Sequence, residues 1–217
     1  MGQKVHPRSF RVGNIYSWKS KWFAKKNYRF MLEQDMRIRE FLNDKLKDAG
    51  VAEIEIYRSP RLVTVTIHTS RPGIIIGRGG AGVEELRDGV KKIINKGSGK
   101  VDVKISIEEI KNPQANAQLV AQSVVDQLEK RIAFKRVLKQ GIDKVYEADG
   151  VKGVRIGVSG RLNGRDMSRR EWLARGNIPL HTLRANVDYA SVAAHTIAGL
   201  VGVKVWIYKG EVFKKSK

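Results

Sequence analysis

The turn Gly77-Arg78-Gly79-Gly80 is the segment of this sequence whose residue types and spacing best suit binding to phosphates. Glycines let a backbone approach a sugar-phosphate chain closely, and the N-terminus of a following helix offers free N–H groups to phosphate. Arg78 adds a cation between the glycines. Because paired glycines occur in any tight turn, the pattern indicates RNA binding only in combination with other features.

The same glycines also fit a dinucleotide-binding pattern, in which Gly77, Gly79 and Gly82 are followed about twenty residues later by Asp102. The context argues against that function. A dinucleotide-binding turn leaves a buried parallel strand directly, whereas Arg71-Pro72-Gly73 separates the preceding strand from this loop. The flanking segments also alternate apolar and polar residues, which is typical of half-exposed antiparallel strands. We therefore favour RNA as the ligand of this turn.

The sequence offers few residues for catalysis, and we predict no catalytic residue, no metal site and no cofactor. Cysteine is absent, which excludes thiolate nucleophiles and thiolate metal ligands. The four histidines are scattered along the chain without the spacing of a metal site. Ser159 does not form a nucleophile elbow, because Arg161 stands where that motif requires a glycine. Two alternatives remain open: a free regulator that binds single-stranded RNA, and a nucleotide-dependent enzyme, which rests on the glycine turn alone.

Positive charge dominates the composition. The 217 residues include 42 Lys and Arg against 22 Asp and Glu, which gives a formal net charge of +20 at pH 7. A charge this far from neutrality indicates a polyanionic partner, first of all nucleic acid. Hydrophobic residues make up 41 % of the chain, enough to form packed cores. No apolar run reaches the roughly 18 residues that a membrane-spanning helix needs.

Residues 1–29 are predicted to form a basic aromatic arm. The first 32 residues contain eight Lys and Arg and no acid, and among them lie Trp18, Trp22, Phe23 and Tyr28. Interleaved cations and aromatic rings suit phosphate neutralisation combined with stacking on exposed bases. An organellar transit peptide is the alternative, but such a peptide is richer in Arg and Ser than this Lys-rich segment. We therefore favour a nucleic-acid-binding arm.

Two further basic clusters lie in the second half of the chain. On a predicted helix, Lys135, Arg136 and Lys139 share about 100° of arc, and Arg131 lies one turn before Lys135. This face suits contact with a phosphate backbone, and an ordinary solvated surface is the alternative that these residues leave open. The second cluster consists of arginines, which pair with phosphate through two hydrogen bonds and stack on bases. Its members are Arg155, Arg161, Arg165, Arg169, Arg170 and Arg175.

Hydrophobic periodicity predicts the elements that position the glycine turn. Residues 30–110 follow the order α-β-β-(glycine turn)-α-β, which describes one compact α/β unit. Its elements are a helix over 30–49, strands around 54–56 and 63–67, a helix that ends at Gly97-Ser98-Gly99, and a strand over 101–107.

The second half of the chain is predicted to be an α+β domain with an antiparallel sheet. Asn112-Pro113 marks its start, because Asn favours a helix N-cap and Pro the first helical turn. A long helix is predicted from there to about Gln140, followed by a shorter helical stretch to Gly150. Strands are predicted at 154–158, through the Arg-rich stretch to 175, at 183–189 and at 203–208. The domain would span 111–208, and a short basic tail, 209–217, would carry Lys214, Lys215 and Lys217.

Several motifs, in order along nearly the whole chain, resemble the bacterial-type family of small-subunit ribosomal protein number three. They are Met1–Pro7, Ile74–Gly80, Val158–Leu162, Pro179–Ala185 and Gly202–Ile207. The resemblance implies the α+β fold class, with a type II KH domain (α-β-β-α-α-β) in the first half. It also implies a C-terminal α+β domain that packs two helices on an antiparallel sheet. In KH domains a GxxG loop clamps the backbone of about four nucleotides.

The resemblance further implies a structural role in the head of the small ribosomal subunit. The partners would be 16S-type ribosomal RNA and mRNA, which the family contacts where mRNA enters and helps to position and unwind during translation. The neighbouring proteins would be ribosomal proteins number ten and fourteen, with numbers two, four and five as further candidates. The location would be a cytoplasmic bacterial ribosome, and the residues leave an organellar ribosome open.

For the basic helix, individual site residues follow from matching positions after Leu128-Glu129. The mRNA-contacting residues would be Lys135, Arg136 and Lys139, with Arg131 added from the same basic face, and Gly77, Arg78, Gly79 and Gly80 would form the GxxG loop. The rRNA-contacting residues would be Lys4, His6, Arg8, Arg11, Trp22, Arg161, Arg165, Arg169 and Arg184. The chain departs from the usual family pattern at Asn163, Asn186 and Ala198. The sequence leaves open which rRNA helices are contacted and whether the GxxG loop holds mRNA, rRNA or neither.

Overall fold

The computed structural model describes residues 4–95 and 101–213. These divide into two compact units, Trp18–Lys111 and a second one that joins Met1–Ser17 to Asn112–Lys217. The predicted helix end at Gly97-Ser98-Gly99 and the lysines of the predicted tail, Lys214, Lys215 and Lys217, lie outside the described residues. Within the described ranges, no helix combines the length and the apolar character needed to cross a membrane.

The elements are labelled in chain order. The helices are α1 (Pro7–Phe10), α2 (Tyr28–Lys45), α3 (Pro72–Ile76), α4 (Ala81–Asn95), α5 (Ala117–Glu129) and α6 (Phe134–Tyr146). The strands are β1 (Ser20–Lys21), β2 (Val51–Arg58), β3 (Leu62–Thr69), β4 (Asp102–Glu109), β5 (Gly153–Gly160), β6 (Arg169–Gly176), β7 (Ala185–Thr196) and β8 (Gly199–Glu211).

The first unit is a four-stranded sheet in the order β1-β2-β3-β4 with α2 and α4 packed together. β2 and β3 are antiparallel, whereas β3 and β4 are parallel and are connected through α3 and α4. On β3, buried Val63, Val65 and Ile67 alternate with less buried threonines, as a strand with one face on the core requires. The helix and strand order from α2 to β4 is α-β-β-α-α-β, so the predicted type II KH domain is confirmed.

The second unit is an antiparallel sheet in the order β6-β5-β8-β7, with α5 and α6 on one face. Its core joins apolar residues of the two helices to the inward side chains of β5 and β8, among them Val124, Val137, Ile156 and Val205. Since strand side chains alternate between faces, Arg155, Gly157 and Ser159 of β5 lie on the face opposite the helices. The predicted α+β domain with two helices on an antiparallel sheet is therefore confirmed.

The single long helix predicted from Asn112 is wrong, because the chain breaks it twice. Pro113–Ala115 forms a short 3₁₀ turn, and Asn116 is the N-cap of α5, its side chain accepting hydrogen bonds from the N–H groups of Gln118 and Leu119. Arg131 has φ = +60° and ends the helical path before α6 begins at Phe134. A left-handed residue cannot continue a right-handed helix, so the break needs neither Gly nor Pro.

The ends of the second unit also differ from the predicted limits. β7 and β8 are longer than predicted and are joined by a tight turn at Ile197-Ala198. Lys209, placed at the start of the predicted tail, lies in β8, which continues to Glu211 because the strand pairs with β7 up to Ala185. The arm predicted over 1–29 is divided, since its first 17 residues belong to the second unit and the rest to the first.

Candidate nucleic-acid interface

The GxxG loop connects α3 to α4 and is shaped by three glycines with positive φ. Gly77, Gly79 and Gly80 have φ values of +68°, +63° and +83°, a region that residues with side chains rarely adopt. A Cβ on Gly82 would lie 2.5 Å from the carbonyl oxygen of Ile75, so the two helices meet at close range. The loop therefore joins helix to helix, and not strand to helix as a dinucleotide-binding turn does.

The loop presents one cation beside exposed backbone. Arg78 is exposed, and no ion pair involves it within residues 4–95 and 101–213. Ile74 and Ile76 of α3 are also exposed, whereas Ile75 between them is buried in the core. This arrangement offers a phosphate one guanidinium together with a backbone that no side chain covers.

The basic face of α6 is built by an amphipathic pattern. Phe134, Val137 and Leu138 are buried, whereas Lys135, Arg136 and Lys139 point to solvent. None of these three cations forms a hydrogen bond or an ion pair through its side chain with the described part of the chain.

Two of these cations lie where the helix itself disfavours them. Lys135 and Arg136 are in the first turn of α6, which contains no acid. The positive end of the helix dipole makes each cation there unfavourable by about 0.3–1 kcal/mol. Among the described residues, these cations therefore have neither an acidic partner nor a favourable position in the helix dipole.

Arg131 lies in the connection between α5 and α6. The prediction that it shares one helix with Lys135 is wrong, since its positive φ separates the two helices. It is exposed, as is its neighbour Lys130. The basic segment therefore consists of the face of α6 and the loop that precedes it.

Arg11, predicted to contact rRNA, is fully buried inside the second unit. Its Nη1 donates to the carbonyl oxygen of Pro7 at 2.9 Å, and its Nη2 donates to the carbonyl oxygens of Pro179, Leu180 and Thr182 at 3.0–3.1 Å. Burial lowers the pKa of this guanidinium from its ordinary value. Direct contact with RNA is therefore a wrong assignment for Arg11, which fixes the 179–182 loop to α1.

The other predicted residues of the arm remain accessible. His6 is the N-cap of α1, and its Nδ1 accepts a hydrogen bond from the N–H of Ser9 at 3.2 Å. Its ring meets Tyr189 edge to face, with the centroids 4.7 Å apart. The Arg8 guanidinium lies 5.0 Å from the ring centre of Tyr16. Lys4 is exposed, and burial of part of its side chain together with the charges of Arg155 and Arg170 lowers its pKa.

Trp22 has a structural role in the first unit. Its indole Nε1 donates to Oδ2 of Asp35 at 2.8 Å, and Asp35 forms a buried ion pair with Arg58. The indole N–H is therefore not available to RNA, whereas the rings of Trp18, Phe23 and Tyr28 are exposed.

The predicted arginines of the second sheet are exposed or half-buried, and they differ in their partners. Arg161 pairs with Asp166 and Arg184 pairs with Glu211, each at 2.6 Å, and the hydrogen bond and charge of Glu211 raise the pKa of Arg184. Arg169 lies over the ring of Phe134 at 5.3 Å. Among the described residues no carboxylate pairs with the side chain of Arg165. Arg165 is therefore the member of this group that is most available to an anion.

The positions that depart from the family pattern take part in local contacts. Asn163 has φ = +56° in the turn after Leu162, a conformation that Asn tolerates better than most residues. Asn186 Oδ1 accepts a hydrogen bond from the Tyr16 hydroxyl at 2.7 Å. The carbonyl oxygen of Ala198 accepts one from Arg161 at 3.4 Å.

Sequence reasoning missed a pocket on the outer face of the second sheet. The register pairs Gly157 with Trp172 of β6 and Lys204 of β8, and it pairs Arg155 with Trp206. Arg155 and Arg170 were recognised only as members of an Arg-rich stretch. Alternation along β5 and β8 could have placed 155, 157, 204 and 206 on one face, but only the strand pairing brings them together. We call this the outer-face pocket; it is lined mainly by Lys4, Arg155, Gly157, Arg170, Trp172, Tyr189, Lys204 and Trp206.

Comparisons with known proteins agree with both units. Residues 37–115 match the KH domain family, and residues 124–207 match the family described as ribosomal protein S3, C-terminal domain. Similar proteins include the small ribosomal subunit protein uS3 of Desulforamulus reducens, 50 % identical over 100 % of this chain and 96 % of the relative. The protein of that name from Ligilactobacillus salivarius is 49 % identical, over 100 % of this chain and 97 % of the relative.

This similarity extends over both units and their order along the chain. A KH domain binds RNA backbone, which accords with the loop at Gly77–Gly80 and with the net charge. The chain therefore belongs to the uS3 family of small ribosomal subunit proteins, and it is a structural, RNA-binding component of that subunit and not an enzyme.

Proposed function

We propose that the chain lies in the head of the small ribosomal subunit and that α6 faces mRNA where it enters the subunit. There the cations Lys135, Arg136 and Lys139 would hold the mRNA backbone and help to separate its base pairs. The observation that carries this proposal is the position of these cations. They are exposed, they lack acidic partners among the residues described, and two of them oppose the dipole of their own helix.

Contacts to phosphates suit a strand that has to move. Lys and Arg on a helix surface attract any sequence equally, because the phosphate backbone carries no sequence information. A moving mRNA can therefore slide past Lys135, Arg136 and Lys139 while it remains held. Arg131 extends this surface from the loop before α6.

The ribosomal RNA would be held by the remaining predicted residues that are accessible. These are Lys4, His6 and Arg8 of the arm and Arg161, Arg165, Arg169 and Arg184 of the second sheet. Arg11 and Trp22 contribute indirectly, by fixing the segments that carry their neighbours. The loop Gly77–Gly80 is the second candidate contact to RNA backbone, because its glycines leave the main chain open.

The proposed partners are 16S-type ribosomal RNA, mRNA and neighbouring ribosomal proteins number ten and fourteen, with numbers two, four and five as further candidates. The proposed location is the ribosome of the bacterial cytoplasm. Full-length similarity to bacterial uS3 proteins supports this location.

The test replaces Lys135, Arg136 and Lys139 together by Ala in the full chain. We expect the variant to assemble into small subunits in normal amount, measured by sedimentation, and to translate unstructured messages normally. Translation of messages with a stable hairpin in the coding region is expected to slow several-fold. Unchanged translation of hairpin-containing messages would contradict the proposal.

A matched control removes the same charge elsewhere. Arg37, Lys45 and Lys47 are exposed on and beside α2, and each pairs with a carboxylate, namely Glu33, Glu85 and Asp44. Replacing these three by Ala is expected to leave hairpin passage unchanged. An equal defect in both triple variants would attribute the effect to net charge and not to the face of α6.

A further inference from the structure

The outer-face pocket is a depression of about 620 Å³ on the sheet face opposite α5 and α6. Its floor is formed by β5, where Arg155, Gly157 and Ser159 alternate with the core residues Val154, Ile156 and Val158. Sites for small organic groups commonly measure about 300–1,000 Å³. The pocket is therefore large enough for one group of that kind.

Four cations line this pocket without acidic partners. Within residues 4–95 and 101–213, no carboxylate forms an ion pair with Lys4, Arg155, Arg170 or Lys204. Burial and the charge of Arg170 lower the pKa of Arg155, and the Nε of Arg155 is buried without a hydrogen-bond partner in the described part. Cations that line one pocket repel one another, and an anion bound between them would offset that repulsion.

Aromatic rings provide a second, independent feature. The Arg155 guanidinium carbon lies 4.1 Å from the ring centre of Trp172 and 5.5 Å from that of Trp206, and Tyr189 packs against Trp206 at 5.3 Å. Trp172 is 51 % exposed, so part of its ring meets solvent. A Cβ on Gly157 would lie 3.6 Å from the Cβ of Trp172 and 3.8 Å from the ring of Trp206, both ordinary contact distances, so the floor of the pocket beside Trp172 is bare backbone.

We propose that the outer-face pocket takes up one unstacked nucleotide of the RNA that this chain binds. The base would lie against the exposed part of the Trp172 ring, and Arg155, Arg170 and Lys4 would hold the adjoining phosphates. Flat aromatic faces beside cations match a planar base joined to an anion. Asp and Glu side chains of an acidic protein segment would use the cations but bring no aromatic ring to stack on the indole of Trp172. This inference rests on the proposed binding to ribosomal RNA and adds a particular site to it.

The experiment uses purified full-length protein and a single-stranded RNA hexamer with one 2-aminopurine base, whose fluorescence is quenched by stacking. We compare the unchanged protein with Trp172→Ala, Trp172→Phe and Gly157→Val, and we confirm folding of each by its thermal unfolding midpoint. Trp172→Phe keeps an aromatic face and serves as the matched control. Gly157→Val places a branched side chain on the floor of the pocket and suits a strand.

Stacking of one base on an aromatic side chain contributes to the binding free energy, so we expect Trp172→Ala to raise the Kd about tenfold. Gly157→Val obstructs the pocket and is expected to raise the Kd by about the same factor. Trp172→Phe is expected to stay within about threefold of the unchanged protein. A hexamer that is abasic at every position should bind the unchanged protein about as weakly as the intact hexamer binds Trp172→Ala.

Either of two outcomes would overturn the proposal. In the first, the Kd is the same for the intact and the abasic hexamer, or is unaffected by Trp172→Ala and Gly157→Val. In the second, an oligoglutamate peptide of matched charge displaces the hexamer at equal or lower concentration, which would assign the pocket to an acidic protein segment. The α6 triple variant should keep normal 2-aminopurine quenching, so failure of the pocket and failure of the α6 proposal give different results.

Discussion

Nη2 of Arg11 donates a hydrogen bond to the carbonyl oxygen of Thr182, 3.0 Å away, although 171 positions separate the two residues in the sequence. The same nitrogen also lies within 3.1 Å of the carbonyl oxygens of Pro179 and Leu180. One buried cation therefore satisfies three carbonyl groups of a loop that contains no helix or strand. This contact explains why the beginning of the chain belongs to the second unit.

Replacing Arg11 by Met is expected to lower the free energy of unfolding by about 3 kcal/mol, because several buried carbonyls lose a charged donor. The measurement is urea unfolding of the purified protein, followed by circular dichroism. Arg8→Met, which removes an arginine that stacks on Tyr16 in the same arm, is the control and should cost less than about 1 kcal/mol. Equal losses in the two variants would contradict a special role for Arg11.

Replacing Asp35 by Asn is expected to lower the free energy of unfolding by about 3–5 kcal/mol. The substitution keeps the shape of the side chain but leaves the guanidinium of Arg58, only 9 % exposed, without its counter-charge. The same unfolding experiment measures the loss. Glu33→Gln breaks the exposed pair with Arg37 and should change stability by less than about 1 kcal/mol.

Replacing Lys135, Arg136 and Lys139 by Ala is expected to weaken binding of single-stranded RNA and to lower its salt dependence. If each cation contacts one phosphate, the negative slope of log K against log salt becomes less steep by about 2. The measurement is the Kd of a fluorescent oligonucleotide at several salt concentrations. An unchanged slope would show that these side chains do not contact phosphate.

The same change is expected to leave the fold as stable as before or to stabilise it by up to about 1 kcal/mol. Lys135 and Arg136 oppose the dipole at the start of α6, so their removal relieves an unfavourable interaction. Thermal unfolding measures this effect. A clear loss of stability would mean that the face of α6 serves packing more than binding.

Gly79 in the GxxG loop and Gly82 after it are expected to lose different amounts of stability when each is replaced by Ala. Gly79 has φ = +63° and open space around it, so Gly79→Ala should cost only about 1–2 kcal/mol of backbone strain. Gly82→Ala places a Cβ 2.5 Å from the backbone oxygen of Ile75 and should cost more, because α3 and α4 must separate. Urea unfolding of both variants gives the comparison, and the opposite order would contradict the close approach of the two helices.

The repeating patterns of the sequence predicted most of the elements. Strand β3 was predictable because Val63, Val65 and Ile67 alternate with threonines, and that pattern depends only on local burial. The end of α5 was not predictable, because Arg131 adopts a positive φ without any Gly or Pro to mark the break. β7 and β8 extend beyond their predicted limits because they pair with each other, and local residue types do not reveal that pairing.

The candidate site was predictable where function depends on exposure and not where it depends on tertiary contacts. Lys135, Arg136 and Lys139 follow from helix periodicity, and the structure places them on one solvent-facing surface. Arg11 was predicted to contact RNA as one of the cations of the basic aromatic arm, and only its distant carbonyl partners explain why a charged residue is buried there. The outer-face pocket needs the register of β5 against β6 and β8, which the sequence does not specify.

The union of Met1–Ser17 with Asn112–Lys217 has a consequence for the newly made chain. The first unit is continuous in sequence, so it can fold while synthesis proceeds. Arg11, however, precedes Pro179 by 168 positions, so at roughly 5–20 residues per second its partners at 179–182 are made about 10–30 s after it. Until then its guanidinium remains in water. The contact between Arg11 and Thr182 can form only after Thr182 has been synthesised. A product that terminates earlier therefore lacks this contact, and its second unit remains incomplete.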